Sequence, residues 1–189
     1  ERNLRDVTIT AIKVTSVVGD IVGKYGKSHV PTREIGTWRN GDDLPIFSHP
    51  EIRFAIEICH DTNFPQVSTA FADKGAELIF IPHASGGAEP AADKQARWER
   101  YVLARAYDNT VFTAICNQVG DNETGCSFEG VTFVCDPPGK LMASSSDGTA
   151  EEIATSKLES EMIEQDRHVP ETFFRYFRRR EIYDAWESK

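Results

Sequence analysis

Arg53-Phe54-Ala55-Ile56-Glu57-Ile58-Cys59-His60-Asp61-Thr62-Asn63-Phe64-Pro65 is the stretch that decides how this chain reads. Phe54, Ile56 and Ile58 alternate with Arg53, Ala55 and Glu57, the period of a strand with one strongly apolar face. The strand runs straight into a cysteine, an acid and a proline follow, and the chain then turns helical. A thiol at the end of a buried strand, beside a sharp turn and a helix start, is well placed to serve as a nucleophile. Taken alone, a strand-end cysteine is more often a small buried hydrophobe.

Reading outward, residues 66–74 carry Val67, Ala70 and Phe71 on one helical face, with Gly75 as the stop. Leu78, Ile79, Phe80 and Ile81 form a continuous apolar run ending in Pro82, which suits a fully buried strand. Residues 91–108 read as the longest helix and bring Trp98, Tyr101, Val102 and Arg105 close together. Residues 110–116 read as another buried strand. Residues 128–135 and 141–143, joined through Pro137-Pro138-Gly139-Lys140, read as a hairpin. Residues 153–158 are expected to be a further strand and 159–166 a short acidic helix. On the other side of Cys59, residues 7–18 read as a strand, and Gly19-Asp20 as a hairpin turn into Ile21-Val22-Gly23-Lys24-Tyr25. Residues 27–50 form a long polar connection, of the kind that is often functional. The tail from 170 to 189 is aromatic and basic, and too apolar for a simple disordered end. This order predicts an α/β fold, a mixed sheet layered with helices. Ligands gather at the carboxyl ends of strands in such sheets, where Cys59, Pro82-His83 and Asn117 all fall.

The 189 residues suffice for one domain with a substantial core. A formal charge of -9 argues against nucleic acid or an anionic membrane as partner. No apolar run approaches the length of a membrane span. Cys59, Cys116, Cys126 and Cys135 show no CxxC spacing and no histidine pair has ligand spacing, so neither zinc nor another metal is expected. This cysteine usage suggests a reducing, cytoplasmic setting. Cys116, Cys126 and Cys135 are expected to be packing residues.

A thiol attacks best as thiolate, so its site must stabilise the anion or supply a base. Cys59 precedes a helix start, and neighbouring amides there can donate to an oxyanion. Lys27, in Tyr25-Gly26-Lys27-Ser28-His29-Val30-Pro31, follows a predicted strand; a lysine near a reacting carbonyl offsets its developing negative charge.

Read together, these pieces resemble the nitrilase, or carbon–nitrogen hydrolase, superfamily. Residues 23–31 are similar to its "YrKxHlp" segment and residues 57–66 to its "ICyDxxFPE" nucleophile elbow. Residues 75–82 resemble its "GAdlilxP" strand, and Trp98 with Ala104-Arg105-Ala106-Tyr107-Asp108-Asn109 its "W…aRAxEN" helix. Asn117-Gln118-Val119-Gly120, Phe128-Glu129-Gly130 and Asp136-Pro137-Pro138-Gly139 follow in the family's order, and Arg179-Arg180-Glu181-Ile182-Tyr183 resembles its closing "RRpelY". Each piece is weak evidence, but their order and spacing from about Val7 to Tyr183 are specific.

The resemblance implies a nitrilase-like α-β-β-α sandwich with mixed sheets, spanning residues 1–189 as one partial domain with 170–189 as a C-terminal tail. It implies Cys59 as nucleophile, Lys27 as stabiliser of the tetrahedral intermediate, and the His60 amide as second oxyanion donor. Glu34 matches the additional glutamate that many members carry after the lysine. His60, His83 and Ser85 are the candidate substrate contacts. The implied reaction is hydrolysis of an amide, N-carbamoyl or, less readily, nitrile group of a small molecule through a cysteine-linked acyl intermediate, with no cofactor, by a homodimer. The departures are Gln66 after Phe-Pro, Asp108 before Asn109, Gly130-Val131-Thr132 in place of Gly-x-Ser, and the general base. The family's base glutamate lies in a "PE" segment upstream of the lysine, and only Glu1 precedes Lys27 here. The sequence is therefore expected to be an N-terminally truncated member, with a non-catalytic fragment acting through subunit contacts as the alternative. Glu57 is a poor substitute base, since side chains two apart on a strand stand roughly 6–7 Å from each other.

Overall fold

The computed structural model describes residues 10–14, 21–87, 89–145, 147–171 and 173–187. Two strands open it: β1 (Thr10–Val14) and β2 (Ile21–Gly26), paired antiparallel with Val14 opposite Ile21. The Gly19-Asp20 turn expected between them, and residues 7–9 and 15–18 of the first expected strand, lie outside the described residues. The connection that follows holds one 3₁₀ turn, Thr32–Glu34, and then β3 (Phe47–Ser48).

The alternating stretch forms β4 (Arg53–Ile56) and enters a 3₁₀ turn at Cys59–Asn63. Pro65 then begins α1 (Pro65–Asp73), since a proline at the first helical position loses only an amide that has no intrahelical partner. Gly75, at φ +94°, ends it with the Ala76 amide returning to the Phe71 carbonyl. β5 (Leu78–His83), α2 (Ala91–Asn109) and β6 (Phe112–Asn117) complete a parallel strand–helix succession. A small hairpin of β7 (Gly120–Asp121) and β8 (Ser127–Phe128) precedes β9 (Thr132–Cys135) and β10 (Leu141–Ser144). The sheet order is β10-β9-β6-β5-β4-β3, with β4, β5 and β6 parallel and the outer pairs antiparallel. This is the mixed sheet expected.

Strand register sorts side chains into rows. Ala55, Ile79, Thr113 and Cys135 form one row and Ile81, Ile115 and Phe133 another, all buried against α1 and α2. Those helices supply Val67, Phe71, Trp98, Val102 and Ala106 to the same core. Each large aliphatic or aromatic side chain so buried contributes about 1.5–3 kcal/mol. The row on the opposite face, Ile56, Phe80, Ala114 and Val134, is more open, with Phe80 41 % exposed.

Two expectations need correction. Residues 153–158 pair with no strand among the described residues; Ile153 is 91 % exposed, and no sheet neighbour is there to satisfy the backbone. Cys116 is exposed rather than packed, because it points to the open face, whereas Cys135 is fully buried under the helices. The acidic helix is present as α3 (Ser160–His168), and the tail folds into a 3₁₀ turn at Phe174–Phe177 and α4 (Arg180–Glu187). Arg175, Arg178 and Arg180 converge on Asp73 of α1 at 3.5, 3.2 and 3.0 Å, so the basic tail is tied to the body by intrachain ion pairs. Among the described residues, no helix is long and apolar enough to cross a membrane, and no group of three His, Cys, Asp or Glu is placed to hold a metal.

Candidate active site

Cys59 opens the 3₁₀ turn that follows β4 with φ +50°, a left-handed conformation that a non-glycine residue adopts at a cost of about 1–3 kcal/mol. Such strain persists only where the surroundings over-determine it. Here they do so through Asp61, which is fully buried and accepts from the Ile58 amide at 3.1 Å, the Tyr25 hydroxyl at 2.6 Å and the His29 amide at 2.8 Å. The Thr62 hydroxyl returns to the Cys59 carbonyl at 2.9 Å. Asp61 thus fixes the elbow. It also clasps the segment that carries Lys27, which the sequence did not reveal. Burial first, then the Asp61 carboxylate, pushes the Tyr25 hydroxyl far above its ordinary range, so it remains a donor. The His29 ring stacks on Phe64 at 3.7 Å between centroids, which seals the same junction.

Lys27 lies between these two anchors and is only 3 % exposed. Among the described residues its ammonium has no hydrogen-bond or ion-pair partner. An ammonium in so nearly buried a side chain is costly without a counter-charge, and an oxyanion brought to it would supply one. Its field is felt by both candidate histidines. The His60 imidazole is held below its ordinary value, by burial and then by Lys27. The His83 imidazole is held down at about 4, chiefly by burial, with Lys27 adding to it. Both rings are therefore neutral at pH 7. Glu34, in the 3₁₀ turn at Thr32–Glu34, acts electrostatically on His60 and pairs loosely with Arg33 at 3.7 Å. His83 ends β5 and its ring packs on Trp98 at 4.3 Å. Ser85 stands two residues on, with its amide donated to Asn117 Oδ1 at 2.9 Å.

Three residues near this group carried no role in the sequence reading. Tyr101 on α2 has its phenol pushed up to about 12, mainly by burial, with the Cys59 thiol contributing in the same direction. Lys94 is buried at the head of the stripe Lys94, Trp98, Val102, Ala106, Asn109. A lysine in register with an apolar stripe was the available signal. Glu129 is its partner.

Glu57 does not face the nucleophile. It points to the helix side, fully buried, with one carboxylate oxygen accepting from Ser68 Oγ at 2.6 Å and the other unpartnered. Burial raises its pKa from 4.5 to about 7, against the opposing effects of Ser68 and Arg105. A carboxyl raised in the folded state contributes stability that is complete below its unfolded pKa and lost as pH rises through the folded one. Unfolding free energies measured from pH 4.5 to 8 should therefore fall by about 3 kcal/mol more for the wild type than for Glu57→Gln. Equal slopes for the two proteins would show that Glu57 does not titrate there.

Residues 10–168 match the carbon-nitrogen hydrolase family. N-carbamoylputrescine amidase of Solanum tuberosum is 29 % identical over 173 residues, 84 % of this chain and 57 % of the relative. Omega-amidase NIT2-A of Xenopus laevis is 26 % identical over 181 residues, 90 % of this chain and 62 % of the relative. The carbon-nitrogen hydrolase from Helicobacter pylori superposes with a TM-score of 0.78 at 25 % identity, covering 90 % of this chain and 62 % of that one. A mutant of the amidase from Nesterenkonia sp., described as showing covalent addition of the acetamide moiety of fluoroacetamide at the active site cysteine, shares the fold with a TM-score of 0.74 at 23 % identity, covering 95 % of this chain and 62 % of that one. The chain thus spans about three fifths of the length of these relatives. With the elbow, the fold and the family match in agreement, the chain belongs to the carbon–nitrogen hydrolase family, within the nitrilase superfamily.

Proposed function

We propose that this chain carries the nucleophile, the oxyanion lysine and one wall of the substrate site of a hydrolase acting on an amide or N-carbamoyl group of a small molecule. The observation that carries the reading is Lys27, buried without an acid partner among the described residues and clasped by Asp61 to the strained elbow that holds Cys59. Amide and N-carbamoyl substrates are preferred to nitriles because two similar relatives are named as amidases.

In this reading the Cys59 sulfur forms a bond to the substrate carbon, and the carbonyl electrons move to oxygen. Lys27 and the His60 amide hold that oxyanion. The carbon–nitrogen bond breaks, ammonia or an amine leaves with a proton, and water cleaves the thioester to give the acid and the free thiol. Glu34 supplies a second carboxylate to the polar wall, and neutral His60 and His83, with Ser85, contact the substrate. The proton acceptor is a glutamate from a segment upstream of Lys27, by resemblance to the family. The protein acts as a cytoplasmic homodimer without a cofactor.

The test is a panel of small amides, N-carbamoyl compounds and nitriles, read by ammonia release and by the intact mass of the acylated protein. Acylation is expected on the Cys59 peptide, with alkylation of Cys59 by a thiol reagent faster than that of Cys126. Equal reactivity of the two thiols and no adduct would favour the non-catalytic reading, in which the chain serves only subunit contacts.

A further inference from the structure

We propose that Lys94 is a positioning residue for the substrate wall: one buried ammonium ties Ser85, through its carbonyl, to the Glu129 carboxylate and braces the Trp98 ring on which His83 packs. Lys94 Nζ donates to the Ser85 carbonyl at 2.8 Å and to Glu129 Oε2, and it lies 6.0 Å from the Trp98 ring centroid. The side chain is 1 % exposed. Asn117 completes the arrangement: its Oδ1 accepts from the Ser85 amide, and its Nδ2 donates to the Ser85 and Glu129 carbonyls at 3.1 and 2.7 Å. Ser85 is thus held by both of its backbone groups.

The physics favours a fixed loop over a mobile one. A buried ammonium left without these partners is strongly disfavoured, so displacing Ser85 or Glu129 costs far more than breaking a surface contact. Lys94 belongs to the first turn of α2, so the contact straps the β5–α2 connection back onto its own helix. The next residue is seated as closely: a side chain at Gly86 would meet the Cys126 sulfur and the Ser127 carbonyl, and Gly87 donates its amide to that carbonyl at 3.1 Å. Close seating thus requires glycine at 86, while Gly87 sits in open space and needs glycine for its φ of +137°. His83 and Asn117 end neighbouring parallel strands, one and two strand spacings from the strand that leads to Cys59, or about 5 and 10 Å. A group that holds this wall without touching the reacting atoms should act on substrate binding rather than on the chemical step.

This inference rests on the hydrolase reading for its kinetic test. In the full-length protein, Lys94→Met is expected to raise KM about tenfold or more with kcat changed less than about threefold, and Lys94→Arg to recover most of the loss. The rate of Cys59 alkylation by iodoacetamide should not change. Because Lys94→Met leaves Glu129 unpaired and risks misfolding, the Lys94→Met/Glu129→Gln double variant is measured beside it, with the same rise in KM expected. Amide hydrogen exchange of residues 84–87 should quicken by about tenfold or more in both variants, as for a segment moved toward the low-stability end of the fold. That readout needs no turnover, so it decides the clamp even if no substrate is found and the hydrolase reading fails. A folded double variant with wild-type KM, or with unchanged exchange at residues 84–87, overturns the proposal. So does a fall in kcat at constant KM.

Discussion

A Cys59→Ala protein should hydrolyse none of the substrates that the wild type accepts, with turnover down by at least ~10⁴-fold, while remaining folded. Groups that act as a unit lose most of their effect when one member is removed, because the others have no bond-forming step left to assist. Lys27 would still attract a carbonyl oxygen, so binding should survive better than turnover. The fold should survive because the side chain removed is small and only partly buried. The backbone strain at φ +50° remains with alanine, and Cys59→Gly should release it, giving a protein about 1 kcal/mol more stable than the alanine variant. Turnover assays alongside thermal melts test both halves. Hydrolysis surviving in Cys59→Ala would end the thiol mechanism. A glycine variant no more stable than alanine would mean that the elbow is not strained.

Asp61→Ala should be the most damaging single change to both stability and activity outside the nucleophile. The carboxylate is fully buried and accepts from the Ile58 amide, the Tyr25 hydroxyl and the His29 amide. Alanine leaves these three donors facing a void, and at about 1–3 kcal/mol for each unsatisfied group the loss is several kcal/mol. Asp61→Asn keeps one acceptor oxygen but turns an NH₂ toward a donor, so an intermediate loss is expected. Because the same carboxylate joins the Lys27 segment to the elbow, hydrolysis should fall even at temperatures where the variant is folded. Urea unfolding gives the first quantity and assays well below the melting temperature the second. Full activity in a folded Asp61→Ala protein would show that Lys27 needs no such clasp.

The elements around Cys59 were legible because each had a periodic signal that its tertiary partner reinforced. Phe54 and Ile56 alternate and find β5 beside them. Trp98, Val102 and Ala106 repeat on one helical face and find the sheet beneath. Residues 153–158, Ile-Ala-Thr-Ser-Lys-Leu, carry no such period and find no neighbouring strand among the described residues, and without a hydrogen-bonding partner a β-prone segment does not become a strand. Lys94 shows the converse. By composition it is a surface charge, and only its place at the head of an apolar stripe hinted at burial.

The sequence by itself determined the α/β class, the family resemblance, and the candidates Cys59, Lys27, Glu34, His60, His83 and Ser85. These are properties of local periodicity and of residue order, which the linear chain carries. Tertiary structure alone decided that Asp61 joins residues 25–29 to the elbow across more than thirty positions of chain, that Glu57 turns away from the thiol toward Ser68, and that one buried ammonium holds Ser85 to Glu129. The reason is physical: a buried polar group must find its partner in space. Which partner lies within reach depends on how strands and helices pack, and no spacing along the chain encodes that distance.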